Sequence, residues 1–232
     1  MHLFFSNTIL NDQIELDLEE SRHLSKVLRL KNGDLAEVID GKGNLFHCKV
    51  LESNSKKSRL NIEKKTFKDE QFGVHLAVAP PKNLSRWEWF LEKSTEIGID
   101  QISPIRCERS ERKILKRDRQ MRILISAMKQ SLKTRLPQLD ELQDFETFIQ
   151  KKNSERKYIA HCREELSKMN LAKLHPKGKK ALILIGPEGD FTKEEILKAE
   201  AAGFDSVSLG KSRLRTETAA LIACHTINLS HA

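Results

Sequence analysis

An apolar run that stops at a glycine-rich turn and leads directly into a helix is the feature that most limits the possible folds of this chain. Ala181–Ile185 reads Ala-Leu-Ile-Leu-Ile, which has the length and composition of a strand buried on both faces. Residues 186–189, Gly-Pro-Glu-Gly, end the run, and Thr192 and Glu195 have the spacing of a capping box for a helix ending near Gly203. A buried strand, a tight loop and a helix in this order predict a mostly parallel sheet covered by helices.

The same alternation of strands and helices begins at Val74. Residues 74–79, 158–161 and 206–209 have strand-like composition, and residues 85–97 carry large apolar side chains at helical spacing. Alternating strand and helix patterns indicate an α/β fold with helices on both faces of the sheet.

A second strand also ends at a glycine, in the pair Leu209-Gly210. A short polar loop follows, and an alanine-rich helix begins near Thr216, which is a residue type that caps helices. Open α/β sheets bind ligands at the carboxyl ends of their strands, and glycine lets the backbone approach a ligand closely. Both glycine loops are therefore candidate ligand sites, although a purely structural turn would use the same residues.

The N-terminal residues have a different character, with short strands and turns. Leu35–Ile39 and residues 45–51 are apolar runs on either side of a hairpin-type loop at residues 40–44. Residues 19–30 have apolar side chains near helical spacing, which predicts one or two helical turns. We expect a small β-barrel over residues 1–70, a linker near residues 66–72 and a second domain over residues 71–232.

Positive charge is concentrated in one part of the chain. The formal net charge is +8, and residues 106–135 alone contain eleven Lys or Arg against three Asp or Glu, which is also +8. The rest of the chain is therefore neutral overall. An unopposed basic segment of this kind predicts contact with the phosphates of a nucleic acid. A solvated helix face without a ligand is the alternative.

Composition argues against several other classes of protein. No apolar run approaches the roughly 18 residues that a membrane span needs, and the N-terminus lacks a secretory signal, which predicts a cytoplasmic protein. The four cysteines and the histidines lack metal-ligand spacing, so we expect no metal site and reduced, buried thiols. The glycine loops match neither of the common phosphate-binding patterns, which disfavours the usual nucleotide-binding folds.

The glycine loops also resemble a known family. The segments Ile185-Gly186-Pro187-Glu188-Gly189, Leu209-Gly210 and Leu214-Arg215-Thr216-Glu217-Thr218-Ala219 resemble the signature of the knotted SPOUT methyltransferases, specifically the RsmE family of ribosomal-RNA uracil-N3 methyltransferases. The resemblance extends over nearly the whole chain. It includes His23-Leu24, Lys26-Val27-Leu28-Arg29, Asp40-Gly41, Gly43, Lys93, Glu96, Gly98, Arg109-Ser110, Gln130-Ser131, Arg135 and Pro137.

The resemblance implies a fold, a reaction and partners. The fold would be an α/β SPOUT domain with a C-terminal trefoil knot, preceded by a small PUA-like β-barrel, and the protein would be a homodimer. The reaction would transfer the methyl group of S-adenosylmethionine to N3 of a specific uridine in small-subunit (16S) ribosomal RNA, in the assembled subunit.

Cofactor-binding residues follow from the same resemblance. Backbone groups of the glycine loops would hold S-adenosylmethionine. The residues concerned are Leu184, Ile185, Gly186, Pro187, Glu188, Gly189, Leu209, Gly210, Leu214, Arg215, Thr216, Thr218 and Ala219.

Two residues are candidates for catalysis. Arg215 could stabilise negative charge that develops on the uracil carbonyl oxygens as N3 loses its proton. Glu217 could accept that proton, as could Glu188, but an ordinary glutamate is a weak base at neutral pH. A structural role for Glu217 at the start of its helix is the alternative, and the identity of the base stays open.

The candidate RNA-binding residues are basic side chains from both parts of the chain, namely Lys26, Arg29, Arg86, Arg109, Arg112, Lys113 and Arg135. The rival hypothesis is a non-catalytic RNA-binding or ribosome-assembly protein that retains the fold. Binding of S-adenosylmethionine would separate the two, because a pure RNA binder has no use for a second ligand pocket.

The sequence departs from the family pattern within both loops. Asp190 stands where the family usually has a second glycine, and Lys211-Ser212-Arg213 stands where it usually has Pro-Arg-Ile. We therefore expect the loop between Gly210 and Leu214 to differ in shape.

Overall fold

The computed structural model describes residues 2–68, 70–151 and 155–231. The chain forms two compact units: the first contains Met1–Glu70 and Met128–Leu136, and the second contains Gln71–Ala127 and Pro137–Ala232.

The short segment Met128–Leu136 is part of the first unit through backbone hydrogen bonds to the hairpin loop at residues 40–44. The Gly43 amide donates to the Thr134 carbonyl (3.0 Å), and the Leu136 amide donates to the Gly41 carbonyl (2.9 Å). An antiparallel bridge between Lys42 and Arg135 lies between these bonds. The sequence alone suggests only one division of the chain, near residue 70.

A curled six-stranded sheet forms most of the first unit. Its strand order is β1-β4-β5-β6-β3-β2, and every pairing is antiparallel except β1 with β4. Ser6 Oγ donates to the Glu15 carbonyl (2.6 Å) and so joins the end of β1 to β3. The strands are β1 (Leu3–Phe5), β2 (Ile9–Leu10), β3 (Gln13–Glu15), β4 (Leu35–Ile39), β5 (Asn44–Glu52) and β6 (Arg59–Phe67).

One short helix interrupts these strands, as the apolar spacing of residues 19–30 predicts. Helix α1 (Leu18–Arg22) begins after Asp17, whose side chain accepts a hydrogen bond from the Glu20 amide (2.8 Å). A π-helical turn, His23–Val27, continues it. Arg29 follows with φ +55°, a left-handed conformation that is uncommon for a residue with a side chain.

The second unit is built on a parallel sheet, as the sequence predicts. The strand order is β10-β8-β7-β13-β11-β14-β12, and β9 pairs with β8. All five residues of β7 and of β13 are buried, which explains their uninterrupted apolar composition. The strands are β7 (Val74–Val78), β8 (Gln101–Arg106), β9 (Gln138–Leu139), β10 (Gln143–Asp144), β11 (Arg156–Ala160), β12 (Met169–Asn170), β13 (Ala181–Ile185) and β14 (Asp205–Ser208).

Helices flank this sheet. Helix α7 packs against β7, β13 and α2, while α4 and α6 contact each other and pack against β8 and β14 respectively. Side chains of α4 and α6 share an apolar core with alternate residues of the central strands, including Leu182 and Leu184. The helices are α2 (Leu84–Ile97), α3 (Arg117–Gln130), α4 (Phe145–Ile149), α5 (Leu171–Leu174), α6 (Lys193–Ala201) and α7 (Thr216–His231).

Three sequence-based expectations need adjustment or stay untested. The linker expected near residues 66–72 is partly strand, because β6 continues to Phe67, and residue 69 lies outside the described residues. Cys162 is exposed, whereas Cys48, Cys107 and Cys224 are buried as expected. The trefoil knot stays a prediction. Among the described residues, no helix is both long and apolar enough to cross a membrane.

Candidate functional site

The carboxyl ends of the four central strands meet at one edge of the parallel sheet. Ile185 pairs with both Ala160 and Val78, and Ala160 pairs with Val207. The loops that follow β7, β11, β13 and β14 therefore leave the sheet side by side. This is the edge at which open α/β sheets bind ligands.

A buried hydrogen bond joins the two glycine loops. Thr216 Oγ1 donates to the Gly186 carbonyl (3.0 Å), so the start of α7 is fixed to the turn after β13. The expectation that Thr216 caps α7 is wrong: Thr216 is the first residue of the helix, and the carbonyl of Arg215 accepts from the Ala219 amide (2.8 Å). The hydroxyl instead satisfies a carbonyl in the other loop.

Close packing explains why glycine stands at position 186. A Cβ on Gly186 would lie 3.0 Å from the Phe191 ring and 3.2 Å from the Phe191 amide nitrogen. Pro187 beside it is buried, whereas Glu188 is exposed and its Oε1 accepts a hydrogen bond from the Lys82 amide (2.9 Å). The turn after β13 is thus tied to the loop after β7.

Asp190 takes the place of a family glycine and adopts the backbone that glycine favours. Its φ is +59°, and its amide donates to the Pro187 carbonyl (2.9 Å). The carboxylate accepts hydrogen bonds from the amides of Phe191 (2.8 Å) and Cys162 (2.9 Å). Aspartate is one of the few side chains that tolerate this conformation, and these bonds stabilise it here.

The loop after β14 is the open side of the site. Gly210 has φ +135°, and a Cβ there would meet no atom within 4 Å. The side chains of Lys211, Ser212 and Arg213 are exposed, and so is that of Arg215. No hydrogen bond or ion pair is found between the Arg215 side chain and the described part of the protein, so this guanidinium can reach a ligand.

Glu217 is buried at the first turn of α7 and faces a cation from α2. Its side chain is 7% exposed, and Oε1 lies 3.6 Å from Arg86 Nε. Its second oxygen, Oε2, is buried without a hydrogen-bond partner among the described residues. Arg86, a candidate RNA contact in the sequence, is therefore the partner of a candidate catalytic residue.

The remaining cofactor candidates lie in or beside the same two glycine loops. Leu184 and Ile185 are buried in β13. Gly189 is exposed, and the half-buried ones are Leu209, Leu214, Thr218 and Ala219.

The basic candidates in the second unit have different environments. Arg109 Nη1 donates to the Gly189 carbonyl (2.7 Å), and Arg112 Nη2 donates to the Lys82 carbonyl. Both side chains thus support the loops of the candidate site. Lys113 is exposed.

In the first unit, Lys26 and Arg29 are exposed around the π-helical turn, and Arg135 is half-buried at its bridge with Lys42.

Comparison with known proteins agrees with this geometry. The profile of the RNA methyltransferase domain matches residues 68–228, and the profile of the RNA methyltransferase PUA domain matches residues 16–63. The ribosomal RNA small subunit methyltransferase E of Bacillus subtilis is 30% identical over 225 residues, which cover 90% of this chain and 87% of that protein. The chain belongs to the ribosomal RNA small subunit methyltransferase E family. This confirms the family resemblance of the sequence motifs.

Two similar solved structures cover nearly all of this chain. A probable rRNA-methyltransferase from Porphyromonas gingivalis is 37% identical, with a TM-score of 0.93 over 100% of this chain and 98% of that chain. The ribosomal RNA small subunit methyltransferase E of Neisseria gonorrhoeae, bound to S-adenosyl methionine, is 28% identical, with a TM-score of 0.85 over 97% and 95% of the two chains.

The loop after β11 is a part of this candidate site that the sequence motifs missed. His161 continues the strand between the two glycine loops, is buried, and has both ring nitrogens without a hydrogen-bond partner in the described residues. Arg163 Nε donates to the Phe191 carbonyl (3.2 Å), so this loop is tied to the turn after β13. The sequence did contain a signal for this loop, because the carboxyl ends of three predicted parallel strands must lie at one edge of the sheet. The loop was missed because no glycine follows the strand at residues 158–161.

The residues of this edge fit the cofactor of the methyltransferase E family. A Cβ at Gly210 would meet open space, so a ligand has room to approach the main chain there. Oε2 of Glu217, which has no hydrogen-bond partner among the described residues, would offer a carboxylate oxygen to a ligand whose sulfonium and ammonium groups are positive. Among the described residues, no group of His, Cys, Asp and Glu side chains could hold a metal ion.

Proposed function

We propose that this protein transfers a methyl group from S-adenosylmethionine to N3 of a specific uridine in small-subunit ribosomal RNA. Family membership supports the general part of this proposal, that the protein is an S-adenosylmethionine-dependent rRNA methyltransferase. The finer statement, uridine N3 in the assembled subunit, rests on the loop motifs.

The observation that carries the proposal is the bond between Thr216 and the Gly186 carbonyl. It brings the two segments that resemble the cofactor motifs into one buried junction at the ligand-binding edge of the sheet. A protein that only bound RNA would not need this junction next to an open glycine loop. The proposed cofactor contacts are those of the two glycine loops and the first turn of α7, at residues 184–189, 209–210, 214–216 and 218–219.

Bound there, S-adenosylmethionine would supply an electrophilic methyl group on a sulfonium. The protein's main contribution is to hold the acceptor nitrogen in line with this methyl group, because correct orientation lowers the barrier. Arg215 is exposed and has no partner in the described part of the chain, so its guanidinium can stabilise the negative charge on the uracil carbonyl oxygens.

Glu217 has two possible roles in this proposal, and they predict different results for the variant Glu217→Gln. If Glu217 accepts the N3 proton, Glu217→Gln lowers kcat strongly while cofactor affinity and thermal stability hold. If the carboxylate only fixes the loops through Arg86, the same variant lowers cofactor affinity and stability together.

The two parts of the chain have different tasks in this proposal. Residues 1–70 bind RNA as a PUA-like domain, with contacts from Lys26 and Arg29, and Arg135 adds a contact from the segment Met128–Leu136 of the first unit. Residues 71–232 carry out methyl transfer. The basic side chains of residues 106–135 supply the phosphate contacts. Because ribosomal subunits are the substrate, the proposed location is the cytoplasm.

A homodimer is also part of the proposal. Trp89 on α2 is 44% exposed, and on α7 Ile222 and Leu229 are 40% and 61% exposed, so two helices that pack together both carry apolar side chains at the surface. Light scattering of the purified protein would measure the mass, and a monomer at micromolar concentration would contradict this part.

The test of the proposal has two measurements. Calorimetry should detect binding of S-adenosylmethionine, which the rival RNA-binding or assembly protein would lack. Small subunits from cells without this protein, treated with it and with labelled donor, should then yield 3-methyluridine on nucleoside mass spectrometry. Label on a ribose, a guanine or a transfer RNA would overturn the substrate while leaving the methyltransferase assignment in place.

A further inference from the structure

A small cavity lies in the second unit, at the start of α3. Its volume is about 210 Å³, and its apolar walls are Ile114, Leu115 and Leu142. The Ile114 side chain is 78% exposed at this position, which is unusual for a large aliphatic residue. No residue of the two glycine loops lines this cavity.

One residue that lines this cavity has a buried amide nitrogen without a partner among the described residues. Gln120, in the first turn of α3, lines it and is 4% exposed. Its Nε2 has no hydrogen-bond partner among the described residues. A buried amide N–H in this state is unfavourable, and an acceptor on an occupant of the cavity would satisfy it.

A fixed carboxylate forms part of the same wall. Asp140 accepts hydrogen bonds from Ser103, Gln101 and Gln138. Burial raises the pKa of the Asp140 carboxyl, but these hydrogen bonds outweigh it and hold the pKa below its ordinary value. The cavity that Gln120 lines therefore also has an ionised, immobile acceptor in its wall.

The distribution of charge favours a cavity ligand that is itself neutral but belongs to an anionic polymer. Two cations, Lys113 and Arg117, and two carboxylates, Asp140 and Glu141, line the cavity, so its own charge cancels. The segment 106–135 around it has an excess of eight positive charges. A free anion gains little inside such a cavity, whereas a neutral ring on a phosphate backbone suits both the cavity and its surroundings.

Size and hydrogen-bonding pattern narrow the ring further. A cavity of about 150 Å³ is enough to hold benzene, so about 210 Å³ accommodates a flat heteroaromatic ring. A glutamine amide offers a donor beside an acceptor and pairs with the edge of adenine, which offers an acceptor beside an amino group.

We propose that this cavity binds an unstacked adenine of the RNA substrate, with Gln120 as the residue that reads its edge. The inference rests on the proposed RNA substrate and adds a second base contact, separate from the nucleotide that is methylated. Neighbouring phosphates would contact the exposed cations of the basic segment.

The experiment measures the affinity of the full-length protein for fluorescent hexamers of adenylate and of uridylate, by anisotropy at one fixed salt concentration. We expect the adenylate hexamer to bind about tenfold more tightly, within the range of one bidentate base contact. In Gln120→Met this ratio should fall to about one, and thermal unfolding should show no loss of stability because an unpaired amide is removed. Gln120→Leu provides a second variant should the first misfold.

Arg122→Gln is the matched control on the same helix. Arg122 is exposed, so its loss should change the affinity for both hexamers by the same factor. Equal wild-type affinities, or a preference that persists in folded Gln120→Met, would overturn the proposal. So would binding of free adenosine monophosphate without discrimination between the hexamers, because the occupant would then be a free nucleotide.

Calorimetry with S-adenosylmethionine separates this inference from the proposed function. Retained cofactor binding without an adenine preference overturns the cavity proposal only. An adenine preference that depends on Gln120, in a protein that does not bind the cofactor, overturns the methyltransferase proposal only.

Discussion

The carboxylate of Glu217 is almost fully buried, and its charge is balanced by one side chain, Arg86, at 3.6 Å. A buried charge that loses its partner is strongly destabilising, whereas an exposed pair contributes little. Because the Arg86 side chain is itself 36% exposed, solvent screens part of this interaction. The pair is therefore an intermediate case.

Arg86→Ala should lower the free energy of unfolding by about 1–2 kcal/mol, because the Glu217 carboxylate is left unpaired. Arg119→Ala is the control, since its partner Glu88 and Arg119 form a more exposed pair, and it should cost less than about 1 kcal/mol. Urea denaturation measures both. Combining Arg86→Ala with Glu217→Gln should recover part of the loss, and strict additivity of the two changes would show that the pair does not interact.

Single residues of the site differ in how far the sequence predicts them. Gly186 and Gly210 were predictable, because a glycine after a buried strand marks a tight turn. The pairing of Arg86 with Glu217 was not, since it depends on how α2 packs against α7, and in the sequence Arg86 is only a basic residue on a polar helix face. His161 was missed because the turn after β11 contains no glycine.

At the level of elements, α7 is connected to the sheet through its first residue. Thr216 Oγ1 satisfies the Gly186 carbonyl in a buried position. Thr226 in the same helix also donates its hydroxyl to a carbonyl, that of Ile222, but Thr226 is only half-buried and this bond is exposed. The two threonines therefore differ in burial and in whether they join separate elements.

Thr216→Val should lower the free energy of unfolding by about 1–3 kcal/mol, because it leaves the buried Gly186 carbonyl without a donor. Cofactor affinity should also fall, since the two glycine loops lose their connection. Thr216→Ser should retain both properties, and Thr226→Val should change neither. Calorimetry with S-adenosylmethionine and urea denaturation measure these effects. Full cofactor affinity in folded Thr216→Val would show that the junction is not part of the binding site.

The elements themselves were largely predictable, for physical reasons. β13 has its predicted bounds, because buried parallel strands have unbroken apolar composition. β7 ends one residue earlier than predicted, β14 is shifted by one residue, and β11 begins two residues and ends one residue earlier than predicted. The assignment of Met128–Leu136 to the first unit was not predictable. It depends on backbone hydrogen bonds, which leave no composition signal.

The stability of the whole protein should have an optimum in pH. Burial lowers the pKa of His161 and of His175, whereas an unfolded imidazole titrates near pH 6.5. Burial also raises the pKa of the Cys48 thiol to about 12, whereas an unfolded thiol titrates near 8.5. Below about pH 6.5 these histidines bind more protons in the unfolded state than in the folded state. Above about pH 8.5 the Cys48 thiol loses its proton in the unfolded state but keeps it in the folded state. Stability should fall on both sides of this window.

Urea midpoints measured from pH 5 to pH 10 should show this optimum. On the acid side each histidine contributes a slope of up to about 1.4 kcal/mol per pH unit. His175→Asn should flatten the acid limb, because it removes one buried imidazole, while His225→Asn should not, because His225 is exposed. An acid limb with the same slope in His175→Asn would exclude His175 as its source.

The distribution of charge is the other property of the whole molecule that bears on function. Arg109 and Arg112 donate hydrogen bonds to the Gly189 and Lys82 carbonyls, so neutralising them would disturb the candidate site as well as RNA binding. Lys116 and Arg122 are exposed, and no side-chain hydrogen bond or ion pair of theirs is found in the described part of the chain. These two residues test the phosphate contacts alone.

Replacing Lys116 and Arg122 together by glutamine should weaken RNA binding and reduce its dependence on salt. Each lost phosphate contact should lower the log–log slope by about 0.7 for single-stranded RNA, so the pair should lower it by about 1.4. Affinity for S-adenosylmethionine should stay within about twofold of wild type, whereas Arg109→Ala should weaken it through loss of the bond to Gly189. Anisotropy titrations at several salt concentrations give the slope. An unchanged slope in the double variant would mean that this part of the basic segment is a solvated helix face, and the RNA contacts would then have to lie on other residues.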